Sequence, residues 1–326
     1  PGSTFKPFVY TYAVQKGYRP NQMVSGAGIT IRGWTPKNYN NRRFGRVSLT
    51  TALVKSITTV PVRIAARLGR GPIVELTRRM GVESPLTAEP AMPLGTNEMT
   101  VLEQATGYGV FMSGGMSTNR HTILQVSDTK GNILYEHKRD GPKPEEIISE
   151  DATRSMNVML SQVPEWGTGR RAKLDGIKTA GKTGTTQAYR DAWFVGYTGN
   201  FVAAVWFGND NYTPTRRLTG GRLPAMTWKK FMTYAHQNID LRPMPFVEPE
   251  KPKPSNQEVA GDPTQPADVP VGVVRQQPLS LETGELLRQL EVDLRNAPSL
   301  RRLSLSQVRS PGDSSVSAPN QDVQTR

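Results

Sequence analysis

Ser3 and Lys6 stand three residues apart in the opening segment Pro1-Gly2-Ser3-Thr4-Phe5-Lys6. A serine hydroxyl is a poor nucleophile near neutral pH unless a base removes its proton as it attacks. On a helix, residues i and i+3 share a face, so the lysine amine lies within reach of that proton. The first helical turn also leaves backbone N–H groups unpaired, and these stabilise a developing oxyanion. Pro7 is tolerated in such a turn, where its missing N–H costs little. Taken alone, the pair reads more readily as a capped helix with a solvated lysine.

Two further groups follow in order: Ser56-Ile57-Thr58, then Lys182-Thr183-Gly184-Thr185 preceded by Gly181. Each group is weak alone, but the three in this order are a strong signal for a serine nucleophile served by lysine. For Lys6 to accept the proton it must be neutral. An ordinary lysine titrates near 10.4, so half-neutrality at pH 7 takes a shift of roughly three units, or about 4–5 kcal/mol. Burial and a neighbouring cation, Lys182, both push in that direction.

Rival chemistries lack their residues. The chain has 326 residues and no cysteine, which excludes thiolate nucleophiles, thiolate metal sites and disulfides. His121, His137 and His236 fall in neither a Gly-x-Ser-x-Gly nor a His-Glu-x-x-His setting and read as structural or surface residues. No metal or organic cofactor is expected. The net charge of +13 is uneven: residues 1–246 carry 32 basic and 17 acidic side chains, residues 247–326 carry 9 and 11. A basic domain suits an anionic partner, but no zinc-finger, RNP-like or basic-helix pattern points to nucleic acid. The longest apolar run, Phe201 to Phe207, is far short of a membrane span.

The elements that must position these groups are legible in part. The opening helix continues through Tyr10 to Tyr18 and stops at Gly17; residues 20–46 read as a long irregular loop. Helices are expected at Ser48 to Lys55, Val60 to Leu68, Glu98 to Met112, Asp151 to Leu160 and Met226 to His236. A hairpin is expected from Thr122 to Val126 and Asn132 to Tyr135. Ile177 to Thr186, Ala192 to Tyr197 and Phe201 to Phe207 read as an antiparallel meander, with Trp193 and Phe194 in its core. Two regions result: a domain over 1–246, and a Pro-rich tail over 247–326 expected to be disordered, with a possible helix over 282–295.

The motifs and their flanks resemble the transpeptidase domain of class A, bifunctional penicillin-binding proteins. The resemblance is carried by Pro1 to Phe8, Trp34-Thr35-Pro36-Lys37-Asn38-Tyr39, Leu94-Gly95-Thr96, Gly167-Thr168-Gly169 and Asp191-Ala192-Trp193-Phe194-Val195-Gly196-Tyr197. It implies a mixed α/β fold, with helices on both faces of an antiparallel sheet, a helical subdomain, and first strands supplied by sequence before Ser3. The strand near Phe201 to Phe207 would then have an unpaired edge, and the chain alone would be poorly stable and prone to aggregate. The implied reaction is D,D-transpeptidation of peptidoglycan stem peptides, with β-lactams as covalent inhibitors. Ser3 is the implied nucleophile, Lys6 its base, and Ser56 and Lys182 the proton relay. Thr58, Thr183, Gly184 and Thr185 bind substrate, and the backbone N–H groups of Ser3 and Thr185 form the oxyanion hole. The family also implies an upstream membrane anchor, a glycosyltransferase module using a lipid-linked precursor, and the periplasmic face of the bacterial cytoplasmic membrane. A carboxypeptidase or β-lactamase-like hydrolase, and a non-catalytic penicillin-binding scaffold, remain alternatives. Thr58 stands where the family carries asparagine, whose amide spans two contacts that a hydroxyl cannot.

Overall fold

The computed structural model describes residues 1–248. The tail, including the helix expected over 282–295, lies outside the described residues.

The chain enters through a 3-10 turn at Gly2–Phe5 and passes into α1, Lys6–Gln15. The α-helix therefore begins at the lysine, and Ser3 sits on the tighter turn ahead of it. Lys6 through Thr11 are all buried, so α1 is covered on every side. A helix so enclosed must be central to the domain. β1 (Met23–Ser25) and β2 (Arg46–Ser48) pair antiparallel and pin the two ends of the irregular loop between them, a refinement of the structureless segment expected there. Ser48 caps α2 (Leu49–Val54), its hydroxyl accepting from the Thr51 N–H at 3.1 Å.

α3 (Thr59–Leu68) and α4 (Gly71–Arg79) follow, both apolar on one face. The sequence reading places nothing at α4; Pro72 lies in its first turn, where proline is favoured. α5 (Val101–Met112) opens with a capping box between Thr100 and Glu103. Glu103 also accepts from the Glu83 N–H at 2.8 Å and from Ser84 N–H and hydroxyl at 2.6 and 2.7 Å. Burial alone would raise the Glu103 pKa, but these bonds and the Thr100 N–H outweigh it and hold the carboxyl at about 2.

The hairpin of β3 (Gln125–Ser127) and β4 (Ile133–Glu136) is present, starting later than expected and slipped by a bulge. A single turn, α6 (His137–Asp140), leads to α7 (Glu150–Trp166). β5 (Ala180–Thr185), β6 (Ala192–Tyr197) and β7 (Val202–Phe207) form the antiparallel meander in the order β5-β6-β7, followed by α8 (Leu223–Ala235). β5 begins three residues later than the sequence suggested, at Ala180 rather than Ile177.

α5 and α7 pack on one face of this sheet and α8 on the other. Trp193 and Phe194 are buried; Phe194 meets Trp228 of α8 edge-on at 5.2 Å between ring centroids. The main core joins α1, α2 and α5 to Val195 and Tyr197 of β6, and reaches Met244 and Val247 beyond α8. Asn157 of α7 ties the layers by accepting from the Tyr197 hydroxyl at 2.6 Å and donating to Phe111 O at 3.1 Å. Among the described residues β7 pairs on one side only, and no helix is long and apolar enough to cross a membrane.

Candidate active site

Two hydrogen bonds and close contacts at three glycines hold the Ser3 turn. Gly2 N–H donates to Gly95 O at 3.0 Å, and the Tyr108 hydroxyl of α5 donates to Thr4 O at 2.8 Å. Gly95 has a φ of 77°, and a Cβ there would lie 2.1 Å from Gly2 O, so only glycine fits. A Cβ on Gly184 would meet Pro1 O at 2.3 Å, and one on Gly2 would meet Thr185 O at 3.0 Å. The missing side chain of Gly184 thus lets the nucleophile turn lie on β5, and it brings Ser3 beside Thr185.

Ser56 joins the two lysines. It has a φ of 57°, an uncommon left-handed conformation for a residue with a Cβ, costing about 1–2 kcal/mol. That bend turns both its oxygens toward α1. Lys6 Nζ donates to Ser56 O at 2.7 Å and to Ser56 Oγ at 3.1 Å, while Lys182 Nζ donates to the same Oγ at 3.0 Å. Lys182 Nζ also reaches Thr183 O at 3.2 Å. Both amines are enclosed, with Lys6 1% and Lys182 0% exposed. Burial, reinforced by the Lys182 charge, pushes the Lys6 amine well below its ordinary value. Burial pushes Lys182 down to about 7. The Ser56 hydroxyl is therefore a shared partner of two amines, both biased toward neutrality.

Along β5 successive side chains alternate faces. Lys182 reaches Ser56 and the Gly184 position faces the Ser3 turn, while Thr183 Oγ1, on the neighbouring position, still lies 3.5 Å from Lys182 Nζ. Thr183 Oγ1 lies 2.6 Å from Thr168 Oγ1, and Thr185 Oγ1 accepts from the Gly220 N–H at 3.1 Å. Thr58 is half-buried at the head of α3. Its backbone N–H, with that of Thr59, is held by Asn38 Oδ1 at 2.8 and 3.4 Å. The sequence quoted Asn38, Gly95 and Thr168 within resembling segments without giving them a task. The structure makes Asn38 the clamp on the Ser56–Thr58 turn, Gly95 the clamp on the Ser3 turn, and Thr168 the partner of Thr183. Only the motif context could have flagged them, since their partners lie far off in sequence.

His236 is buried, with Nε2 2.9 Å from Thr198 Oγ1 and Nδ1 2.7 Å from Met232 O; His121, ahead of β3, and His137, at the start of α6, stack at 3.4 Å between ring centroids. None meets the lysine pair. Among the described residues no cluster of His, Cys, Asp and Glu could hold a metal ion.

A serine-bearing 3-10 turn laid on an antiparallel strand, beside two buried lysines joined through a second serine, is the class of site suited to serine–lysine acyl transfer. The chain belongs to the family described as the penicillin binding protein transpeptidase domain, which matches residues 1–232. It is 34% identical over 256 residues to penicillin-binding protein 1A of Neisseria flavescens, covering 75% of this chain and 32% of that protein. The Aquifex aeolicus penicillin-binding protein 1A is 31% identical over 265 residues, covering 78% and 36%. The chain thus spans about a third of the length of these curated relatives. Among solved structures, PonA1 of Mycobacterium tuberculosis superposes with a TM-score of 0.70 at 23% identity, covering 86% of this chain and 77% of that one. Penicillin-binding protein 1A of Haemophilus influenzae gives 0.65 at 24%, covering 74% and 42%. The fold is that of penicillin-binding transpeptidase domains.

Proposed function

We propose that this chain is a D,D-transpeptidase that cross-links peptidoglycan stem peptides through an acyl-enzyme on Ser3. The observation that carries the reading is the Ser56 hydroxyl bonded at once to two buried amines, Lys6 and Lys182. In the first half-reaction Ser3 Oγ attacks the carbonyl of the donor's terminal D-Ala-D-Ala bond and gives its proton to neutral Lys6. The N–H groups of Ser3 and Thr185, neighbours across the Gly2 contact, hold the oxyanion. The C–N bond then breaks, and the departing D-Ala amine takes a proton delivered from Lys6 through Ser56. In the second half-reaction an amine of another stem attacks the ester. Its proton returns by the same path, and Ser3 is released.

Thr183 and Thr185 would take the donor's terminal carboxylate, with Lys182 supplying charge; Gly184 keeps the nucleophile turn against the strand, and Thr58 borders the relay. Desolvation is what makes this arrangement basic: an exposed lysine would be almost wholly protonated at neutral pH. No metal or organic cofactor enters these steps. β-Lactams would acylate Ser3 as donor mimics.

For the whole protein we propose the class A plan: a membrane anchor and a glycosyltransferase module, acting on lipid-linked precursor at the periplasmic face of the cytoplasmic membrane. In that plan residues 1–246 are the transpeptidase unit and 247–326 a separate tail. The test supplies a D-Ala-D-Ala donor with a stem-peptide amine and quantifies the products. Amide formed in excess of hydrolysed donor supports the transpeptidase. Hydrolysis alone favours a carboxypeptidase, and neither product favours the non-catalytic scaffold.

A further inference from the structure

Beside Thr183 lies a cavity of about 290 Å³ lined by Gly167, Thr168, Arg170, Arg171 and Gly221. It is built by two loops, the turn after α7 and the segment before α8. Arg171 Nη1 bridges them by donating to Gly221 O at 3.2 Å. Gly221 permits the approach, since a Cβ there would lie 2.5 Å from Thr168 O. Both arginines are exposed, and neither forms an ion pair among the described residues. The nearby carboxylate of Glu165 is occupied instead by Lys173 at 2.6 Å and Lys178 at 3.6 Å.

This cavity has the donors for one small planar anion. A guanidinium offers two parallel N–H groups matched to a carboxylate, and with Thr183 as donor in its 2.6 Å contact the Thr168 hydroxyl proton is free to add a third. The Thr168–Thr183 contact of 2.6 Å places the cavity next to the strand that carries Lys182. We propose that it is a second carboxylate subsite, which takes a stem-peptide carboxylate other than the terminal one held by Thr183 and Thr185. The inference rests on the acyl-transfer reading above. Stem peptides carry several carboxylates, and the cavity chemistry suits one on the donor or one beside the acceptor amine.

The test uses the full 326-residue chain and two pairs of synthetic stem peptides. In one pair the donor carries its internal carboxylate or the matching carboxamide; in the other the acceptor does. Amide-forming kcat/KM is measured for each peptide with the unaltered chain, with R170Q/R171Q and with R170K/R171K. The expected result is a carboxylate-over-carboxamide preference of about tenfold or more in one pair, the scale of one charge-assisted hydrogen bond. That preference falls to about one in the Gln variant and is partly kept in the Lys variant. Because the ratio is internal to each protein, a folding loss that lowers both rates cancels. Preference in the donor pair assigns the subsite to the donor, and preference in the acceptor pair assigns it to the acceptor. No preference in either pair, or a preference unchanged by R170Q/R171Q, overturns the subsite while leaving acyl transfer standing. Failure of penicillin to label Ser3 in the unaltered chain overturns acyl transfer, and the subsite with it.

Discussion

Replacing Lys182 with methionine removes a buried charge next to Lys6 while keeping most of the side-chain volume. Both amines bond the same Ser56 oxygen, at 3.1 and 3.0 Å, so they lie no more than about 6 Å apart. Two unit charges at that distance repel by about 3 kcal/mol at an effective dielectric near 20, equivalent to about two pH units. Lys182, held at about 7, is only partly charged near neutrality, which brings the effect to about one to two pH units. Burial still lowers the Lys6 pKa in the variant, but the charge contribution is gone, so its pKa moves up. Acylation needs neutral Lys6; its rate therefore climbs with pH through that pKa. The rising limb in K182M should lie about one to two pH units to the alkaline side, with a slower rate at pH 7. The assay is the pH profile of the first-order acylation constant at saturating β-lactam, which separates the limb from weakened binding. A limb at the same pH in K182M would refute Lys6 as a base tuned by its neighbour.

Glu103→Gln should destabilise the domain by about 1–3 kcal/mol, read from urea unfolding, because it weakens the five hydrogen bonds its carboxylate accepts at the head of α5. The same carboxyl predicts a pH dependence. Its pKa is about 2 in the fold against 4.5 ordinarily, so its contribution is complete above about 4.5 and is lost as pH falls towards 2. In E103Q that acid-side loss should shrink, and an unchanged slope would count against the hydrogen-bond account. Thr58→Asn should raise amide formation with a stem-peptide amine more than it raises acylation by penicillin; equal effects would show that the residue orients no substrate amide. The one-sided β7 strand predicts that the chain aggregates on heating, with a midpoint below about 55 °C. A cooperative, reversible transition above that temperature would contradict this.

Much of the architecture could be read from short-range signals: the Gly/Pro punctuation and the short connections of the meander. The capping box that starts α5 at Thr100 is missed, since the sequence reading expects the helix from Glu98. The groups carrying chemistry stood out only because the Ser3–Lys6 pair is followed in order by Ser56-Ile57-Thr58 and Lys182-Thr183-Gly184-Thr185. Their meeting place was not legible. Ser56 acts on both lysines only because its backbone takes a left-handed bend, and that bend is held by Asn38 through contacts about twenty residues away. The role of Gly184 likewise depends on a segment 183 positions earlier, which occupies the space a side chain would fill. The Ser3 turn reads as α-helix by pattern but closes as a 3-10 turn, pulled by Gly95 and Tyr108. Such long-range contacts leave no local periodicity.

The central claim is that Ser3 is a nucleophile activated by a neutral, buried Lys6. Intact-mass analysis after brief exposure to penicillin, with peptide mapping, tests it most directly. The account predicts one lasting adduct on the peptide containing Ser3, absent in Ser3→Ala and formed at least about a hundredfold more slowly in folded Lys6→Ala, in keeping with the loss of a general base. An adduct elsewhere, or an unslowed adduct in Lys6→Ala, would contradict it.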